Sequence, residues 1–459
     1  MNTELAEEWI EEEIPPTDEQ QKSSKPSVIR HPDEPMPEVY YDTARKEFLV
    51  QEARGVWIGL NISQFSRKCR LHGISGKTLD GCCHSAFDLY ADTIQHKNAV
   101  DFSGAIAGFK SGLLDQGGKR FLVTKGPDLI TPKKGDWPML DAVFRAVLFD
   151  EDFDQLFYWH AWVKMGFEAL VAGLRKPGQA MILVGPAECG KSLLQDLLTV
   201  VFGGREAKPY KFMTDATRFN SNLAGAEHLR IGDENPHTDI RARRNFGAQL
   251  KNLTVEECHE VEAKYRDALT LRPFWRLSIS LNDEQENLMV LPPLDEHIMD
   301  KMIILKCRKQ EMPMKTASPE ERKAFWERLV DELPAYLHSL SGLVIPDHLV
   351  SQRFGVQAFL HPAIKSELLN FEPPMMLLDL IDAHLFGPNE SVIEMTAAEI
   401  QHELTCDTSA CRFEAQRLLQ RATTCGRYLS SLVKMCPRVR EARTSDRRAY
   451  RITRRPDDG

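Results

Sequence analysis

Gly185-Pro186-Ala187-Glu188-Cys189-Gly190-Lys191-Ser192 sets glycines, a lysine and a hydroxyl in the spacing G-x-x-x-x-G-K-[ST]. Glycines at those places let backbone N–H groups wrap phosphate oxygens, and a helix opening at Gly190 adds the positive end of its dipole. Lys191 is then placed to neutralise the β- and γ-phosphates, and the Ser192 hydroxyl to ligate Mg²⁺. The flanks suit this reading. Residues 180–184 form a short apolar run of the buried-strand kind, and residues 193–198 read as helix. ATP with Mg²⁺ is the expected ligand.

A phosphate loop needs acidic partners. About forty residues on, His228-Leu229-Arg230-Ile231-Gly232 runs into Asp233 and Glu234. Alone, such a pair reads as a solvated acidic turn. After a phosphate loop, at the carboxyl end of a strand, it faces the nucleotide instead. Asp233 would hold Mg²⁺ and Glu234 would polarise the attacking water. Phe274-Trp275-Arg276-Leu277-Ser278-Ile279-Ser280-Leu281-Asn282-Asp283 is a further buried-strand pattern, and its strand ends in Asn282. An amide both donates and accepts, so Asn282 is placed to orient water and sense the γ-phosphate.

With these motifs in order, residues 138–310 resemble the superfamily 3 helicases, a compact AAA+ branch, and most of all those of phage, plasmid and genomic-island primase-helicase proteins. Residues 185–192 match motif A, 231–234 motif B and 277–282 motif C. Gln249-Leu250-Lys251-Asn252-Leu253-Thr254 followed by Val261-Glu262-Ala263-Lys264-Tyr265-Arg266-Asp267 is similar to the B′ motif. The resemblance implies a P-loop ATPase core and a β-hairpin reaching into a ring channel, with Lys264 at its tip and Tyr265 and Arg266 beside it. It also implies a homo-hexamer unwinding DNA 3′→5′, with a primase or polymerase as a possible partner. A cation beside an aromatic suits a single strand. The family completes its site with a basic residue from the adjacent subunit. Lys301 matches that position but lacks arginine's fork, and Arg241, Arg243 and Arg244 are alternative donors.

These groups must be positioned by more than one domain, because 459 residues exceed an ordinary single core. Residues 1–38 are acidic and Pro-rich and read as a disordered tail. Residues 39–135 read as a small α+β domain without visible catalytic chemistry: short strands, then a helix capped by Ser63, then a strand at 120–124. Residues 136–310 form the α/β ATPase core, opening on an aromatic helical stretch that is core rather than a base-stacking platform. A helical subdomain or linker follows at 311–372, where an amphipathic helix over 320–340 should kink or divide at Pro334. Residues 373–459 resemble a winged helix, with helices at 375–386 and 396–404, one long or two broken helices over 410–432, and two strands flanking residues 444–447. Arg427 and Lys434 then lie near duplex DNA, and Arg447 and Arg448 contact backbone from the wing.

Net charge is −9, yet the charge is polarised. The first twenty residues carry eight acidic side chains and no Lys or Arg, while 412–455 hold thirteen Lys/Arg against three acidic residues. The basic end is a footprint for phosphate contact. Ten cysteines without a C-x-x-C pair read as reduced thiols of a cytosolic protein in a bacterial host, with no zinc site. No apolar run is long enough to cross a membrane, and no secretory signal opens the chain. A different class remains open: a DNA-binding initiator or scaffold that uses ATP as an assembly switch with little unwinding. Primer synthesis is not expected, since the first 135 residues show no carboxylate or metal constellation.

Overall fold

A computed structural model describes residues 35–53, 55–232, 240–262, 268–370, 372–388, 390–443 and 447–455. The chain forms two compact units, 1–101 and 102–459. The first holds β1 (Val39–Asp42), β2 (Glu47–Ala53), β3 (Val56–Leu60), α1 (Ile62–Leu71), α2 (Ala86–Lys97) and β4 (Ala99–Val100). Its sheet order is β3-β2-β1-β4, with Phe48 and Phe65 stacked beneath it. Asn61, not Ser63, caps α1: its side chain accepts from the Gln64 amide, and Gln64 reaches back to the cap.

The unit boundary falls before Phe102 rather than near 135. β5 (Phe102–Gly104), β6 (Gly112–Gln116) and β7 (Lys119–Val123) form a three-stranded sheet. Its Phe121 and Val123 bury against Ala224, Val261 and Leu271 of the larger unit. Glu227, fully buried, ties the two parts together: its carboxylate accepts from the Gly108 amide at 2.8 Å and pairs with Arg205.

α3 (Pro138–Leu148) and α4 (Gln155–Val171) carry the aromatic stretch, and Trp159 and Trp162 are buried as expected of core. No side chain at the N-cap of α3 serves its first turn. Instead Glu332, from a later helix, accepts from the amides of Met139 and Leu140 at 2.9 and 3.0 Å.

The parallel-sheet core follows in chain order: β8 (Ala180–Val184), α5 (Lys191–Val201), β9 (Glu206–Ala207), α6 (Tyr210–Met213), β10 (His228–Ile231), α7 (Ile240–Val255), the pair β11 (His259–Val261) and β12 (Leu269–Leu271), then β13 (Arg276–Leu281), α8 (Gln285–Leu288), α9 (Glu296–Met299) and β14 (Met302–Lys306). With β15 (Phe359–Leu360) these give a six-stranded sheet in the order β15-β14-β8-β13-β10-β9, whose recorded pairings are all parallel. Every residue of β8 and β13 is buried, as central parallel strands covered on both faces must be. β14, read in the sequence only as the setting of Lys301, is a neighbour of β8.

α10 (Pro319–Ser341) opens on a Ser318–Glu321 capping box and runs unbroken through Pro334. Pro334 does not divide the helix, and its carbonyl accepts from the Lys133 amide. α11 (Pro362–Asn370) leads to the last module: α12 (Pro373–His384), β16 (Val392–Thr396), α13 (Ala397–Thr405), α14 (Arg412–Leu418), α15 (Thr424–Met435), β17 (Val439–Arg443) and β18 (Arg448–Thr453). Its sheet order is β16-β18-β17, and Leu377, Ile400, Leu429 and Tyr450 share its core. The 410–432 stretch is two helices, and β16 is a strand the sequence reading lacked. Among the described residues no helix is long and apolar enough to cross a membrane.

Candidate nucleotide site and basic surface

Parallel pairing decides where the chemistry meets. Val184 is level with Leu281 of β13 and Lys306 of β14, so the segments after β8, β13 and β14 leave one edge of the sheet together. The Gly185 amide donates to the Leu281 carbonyl at 3.2 Å, and the Cys307 amide to the Val184 carbonyl at 2.6 Å. A Cβ at Gly185 would stand 2.4 Å from the Cys307 carbonyl oxygen, so only glycine lets the loop leave the strand there. Glu188 (φ 59°) and Gly190 (φ 98°) then turn the chain through the left-handed region and deliver Lys191 at the start of α5.

Lys191 is 6% exposed, and its ammonium is fully occupied. It donates to the carbonyls of Gly185 and Pro186, both at 2.7 Å, and to Asn282 Oδ1 at 2.9 Å. The loop lysine and the strand-end amide, ninety-one residues apart, thus share one site. Ser192 lies exposed in the first turn of α5. Glu188 forms an exposed 3.1 Å ion pair with Lys309, of small energetic weight. Asp233 and Glu234 lie outside the described residues; Gly232, the residue before them, follows directly on β10.

Behind the loop stands a buried polar network that sequence reading missed. Gln195, one turn into α5, donates to the Ile231 carbonyl at 3.0 Å and to Ser278 Oγ at 2.9 Å. His228 meets Ser278 Oγ and Thr199 Oγ1, each at 2.7 Å. Burial holds the His228 pKa down at about 3, so the ring is neutral and both nitrogens are used. The network fixes α5 to the end of β10. Its one sequence signal is a glutamine on the apolar face of the helix after the loop.

The basic candidates differ in availability. Lys301 is 8% exposed, with its ammonium 2.5 Å from the Asp300 carboxylate. Arg243 is buried and its Nε donates to the Leu291 carbonyl at 2.9 Å; burial lowers its pKa, and the Glu372 charge opposes that. Arg244 is exposed, and the Arg241 side chain lies outside the described residues. β11 and β12 pair antiparallel from His259↔Leu271 to Val261↔Leu269, the hairpin form expected of the B′ segment. Lys264, Tyr265 and Arg266, which fall between the two strands in sequence, lie outside the described residues.

On the last module, α15 and β18 enclose an open hollow of about 670 Å³ lined in part by Arg427, Ser431, Lys434 and Arg448. The sequence singled out three of those four. Arg448 also pairs with Glu441 across β17–β18. Arg447 is exposed at the start of the returning strand, next to residues 444–446, which lie outside the described residues.

Comparisons with known proteins agree with this architecture. A protein-family profile described as a family of unknown function (DUF5906) matches residues 183–295, from the end of β8 to beyond β13. No curated protein matches the chain. Among solved structures, the apo C-terminal region of NrS-1 (305-718) superimposes with a TM-score of 0.54 at 13% identity, covering 91% of this chain and 96% of that one. A second structure, the A form of the same apo region, gives 0.53 at 12% identity with the same coverage. A far looser likeness, TM-score 0.30 at 10% identity over 87% of this chain and 73% of the other, is to the SCCmec type IV Cch active helicase. The chain therefore has the fold of the NrS-1 C-terminal region, an α/β fold around a parallel central sheet.

Proposed function

We propose that this chain is an ATP-hydrolysing DNA helicase of the superfamily 3 type, working as a ring, a homo-hexamer, on single-stranded DNA during phage- or plasmid-type replication. The observation that carries the reading is the Lys191–Asn282 contact, at the carboxyl edge of the parallel sheet where such folds bind nucleotides. The residues fit ATP with Mg²⁺: Gly185 and Gly190 leave a cradle that a Cβ would fill, and Lys191 and Ser192 stand at the opening of α5. Lys191 neutralises phosphate charge, Ser192 and Asp233 hold the metal, Glu234 orients water, and Asn282 couples the γ-phosphate position to Lys191. Bound Mg²⁺ would supply charge neutralisation at the phosphates.

The hairpin formed by β11 and β12 carries Lys264, Tyr265 and Arg266 toward the strand in the channel. Of the basic residues offered for the neighbouring subunit's site, Arg244 is favoured by its exposure, whereas Arg243 is buried and Lys301 is tied to Asp300. The α15–β18 surface binds duplex DNA through Arg427, Lys434, Arg447 and Arg448.

The test is ATP hydrolysis with and without single-stranded DNA, in the parent, Lys191→Ala and Lys264→Ala. DNA-stimulated turnover that Lys191→Ala abolishes and Lys264→Ala uncouples from DNA supports the motor. ATP-dependent assembly with negligible turnover, on DNA and at ring-forming concentration, replaces it with an ATP-switched initiator or scaffold.

A further inference from the structure

β11 and β12 form a sheet of two strands, and a hairpin of that kind is barely stable on its own in water. Asn220, 5% exposed in the strap between α6 and β10, supplies three hydrogen bonds to it. Its side-chain amide stands in for a peptide group: Nδ2 donates to the Glu260 carbonyl at 2.8 Å, and Oδ1 accepts from the Glu262 amide at 2.7 Å. Its backbone amide donates to the Glu262 carbonyl at 3.1 Å. Glu260 lies in β11 and Glu262 directly follows it, so the bonds fall on alternate residues, as along one edge of a strand.

The strap is itself anchored at both ends. The Leu223 amide donates to the Asn220 carbonyl at 2.9 Å, and the Leu223 carbonyl accepts from Trp275 Nε1 at 2.9 Å. Trp275 is the residue before β13, and its ring centroid lies 4.4 Å from that of His259 in β11. At the other end, Tyr210 of α6 and Phe246 of α7 are both buried, with ring centroids 6.2 Å apart. α7 is the helix that follows the acidic pair in the chain. The base of the hairpin is thereby tied toward β13, which ends at Asn282, and through the strap to α7.

We propose that Asn220 is a positioning residue for the hairpin, pinning Glu260 and Glu262 to the strap so that the hairpin moves with the nucleotide-binding core instead of swinging about its own base. A DNA strand held by the hairpin then bears on the strap and α7, and ATP turnover responds to it. This rests on the function proposed above. The neighbouring Arg218–Glu262 ion pair, 3.3 Å apart at the surface, adds little to the lock.

The test is ATP hydrolysis by the full chain at ring-forming concentration, titrated with a deoxythymidine homopolymer, in the parent, Asn220→Ala and Asn220→Asp. Asn220→Ala removes both side-chain bonds. Its turnover without DNA and its KM for ATP should match the parent's, while stimulation by DNA falls at least about fivefold. Asn220→Asp keeps the acceptor for the Glu262 amide but cannot donate to Glu260. It should lose stimulation as well, and it decides the matter if the Ala chain does not fold. Stimulation equal to the parent's overturns the proposal and leaves the motor reading standing. So does a loss of DNA-free turnover in step with the stimulated rate, or failure of both variants to fold, since Asn220 then serves stability alone. A parent that DNA does not stimulate removes the motor reading, and this proposal with it.

Discussion

The Lys191 ammonium donates to the Asn282 side-chain oxygen at 2.9 Å, which joins the loop after β8 to the end of β13. Replacing that oxygen tests whether the contact sets the lysine's availability. Asn282→Ala frees one of its bonds, whereas Asn282→Asp puts a carboxylate against it and holds it more firmly. Both variants should lose on the order of 100-fold in ATP turnover. Only the Asp variant should also bind ATP markedly more weakly than the parent. Equal affinities for the two variants, measured with a fluorescent analogue, would dismiss the contact as incidental.

Gly190 sits at φ 98°, and a Cβ there would stand 2.9 Å from Met312 Cε and 3.0 Å from Val147 Cγ2. Gly190→Ala should therefore cost about 1–2 kcal/mol locally through its backbone. The loop should remodel, and nucleotide affinity should fall by at least about tenfold. Adding Met312→Ala removes the nearer contact but not the backbone strain, so it should not restore binding. Recovery of affinity in that double variant would show that crowding, not conformation, fixes the glycine.

His160 and His228 are held neutral by burial, at about 4 and about 3 respectively. Below about pH 6.5, the ordinary histidine value, the unfolded chain binds protons at these rings that the folded chain refuses. Their contribution to stability is therefore whole above that pH and declines as pH falls, toward 4 for His160 and 3 for His228. Each ring should add a slope of about 1.4 kcal/mol per pH unit inside its window. Urea unfolding between pH 6.5 and 5 should be less pH-dependent in His160→Gln than in the parent. An unchanged slope would mean that His160 takes up a proton without unfolding.

Arg427→Ala and Lys434→Ala remove two cations from the α15 surface without touching its buried side. Each should weaken duplex DNA binding to a similar degree on unrelated sequences and reduce the slope of log K against log salt by about 1. Thermal melting should stay within about 0.5 kcal/mol of the parent. Slopes equal to the parent's would move the DNA contact off this face.

What could be read from residue order was whatever local spacing determines. The phosphate loop needs its glycines, lysine and serine at fixed spacing, β8 is a continuous apolar run, and β10 and β13 alternate apolar with polar residues, so all were legible. So was the aromatic core of α3 and α4, because rings clustered at helical spacing bury a large apolar area together. The last module was legible in outline, the 410–432 stretch included as two helices, although β16 had no distinct pattern. Pro334 did not divide its helix, because a proline's local penalty is offset by the packing of α10 along its length.

Tertiary structure decided what depends on partners far apart in the chain. Parallel register, not spacing, brought Asn282 to Lys191 and Cys307 to Gly185. Burial separated Arg243 from Arg244, which the sequence offered as equals. The Gln195–Ser278–His228 network existed only once α5 lay across β10 and β13. The unit boundary before Phe102 came from the same cause, because β5 to β7 bury their apolar face against residues more than a hundred positions away. Sequence determines which chemical groups and local elements are available. Distant burial and hydrogen bonding decide which of them meet, because those energies arise only when the elements pack.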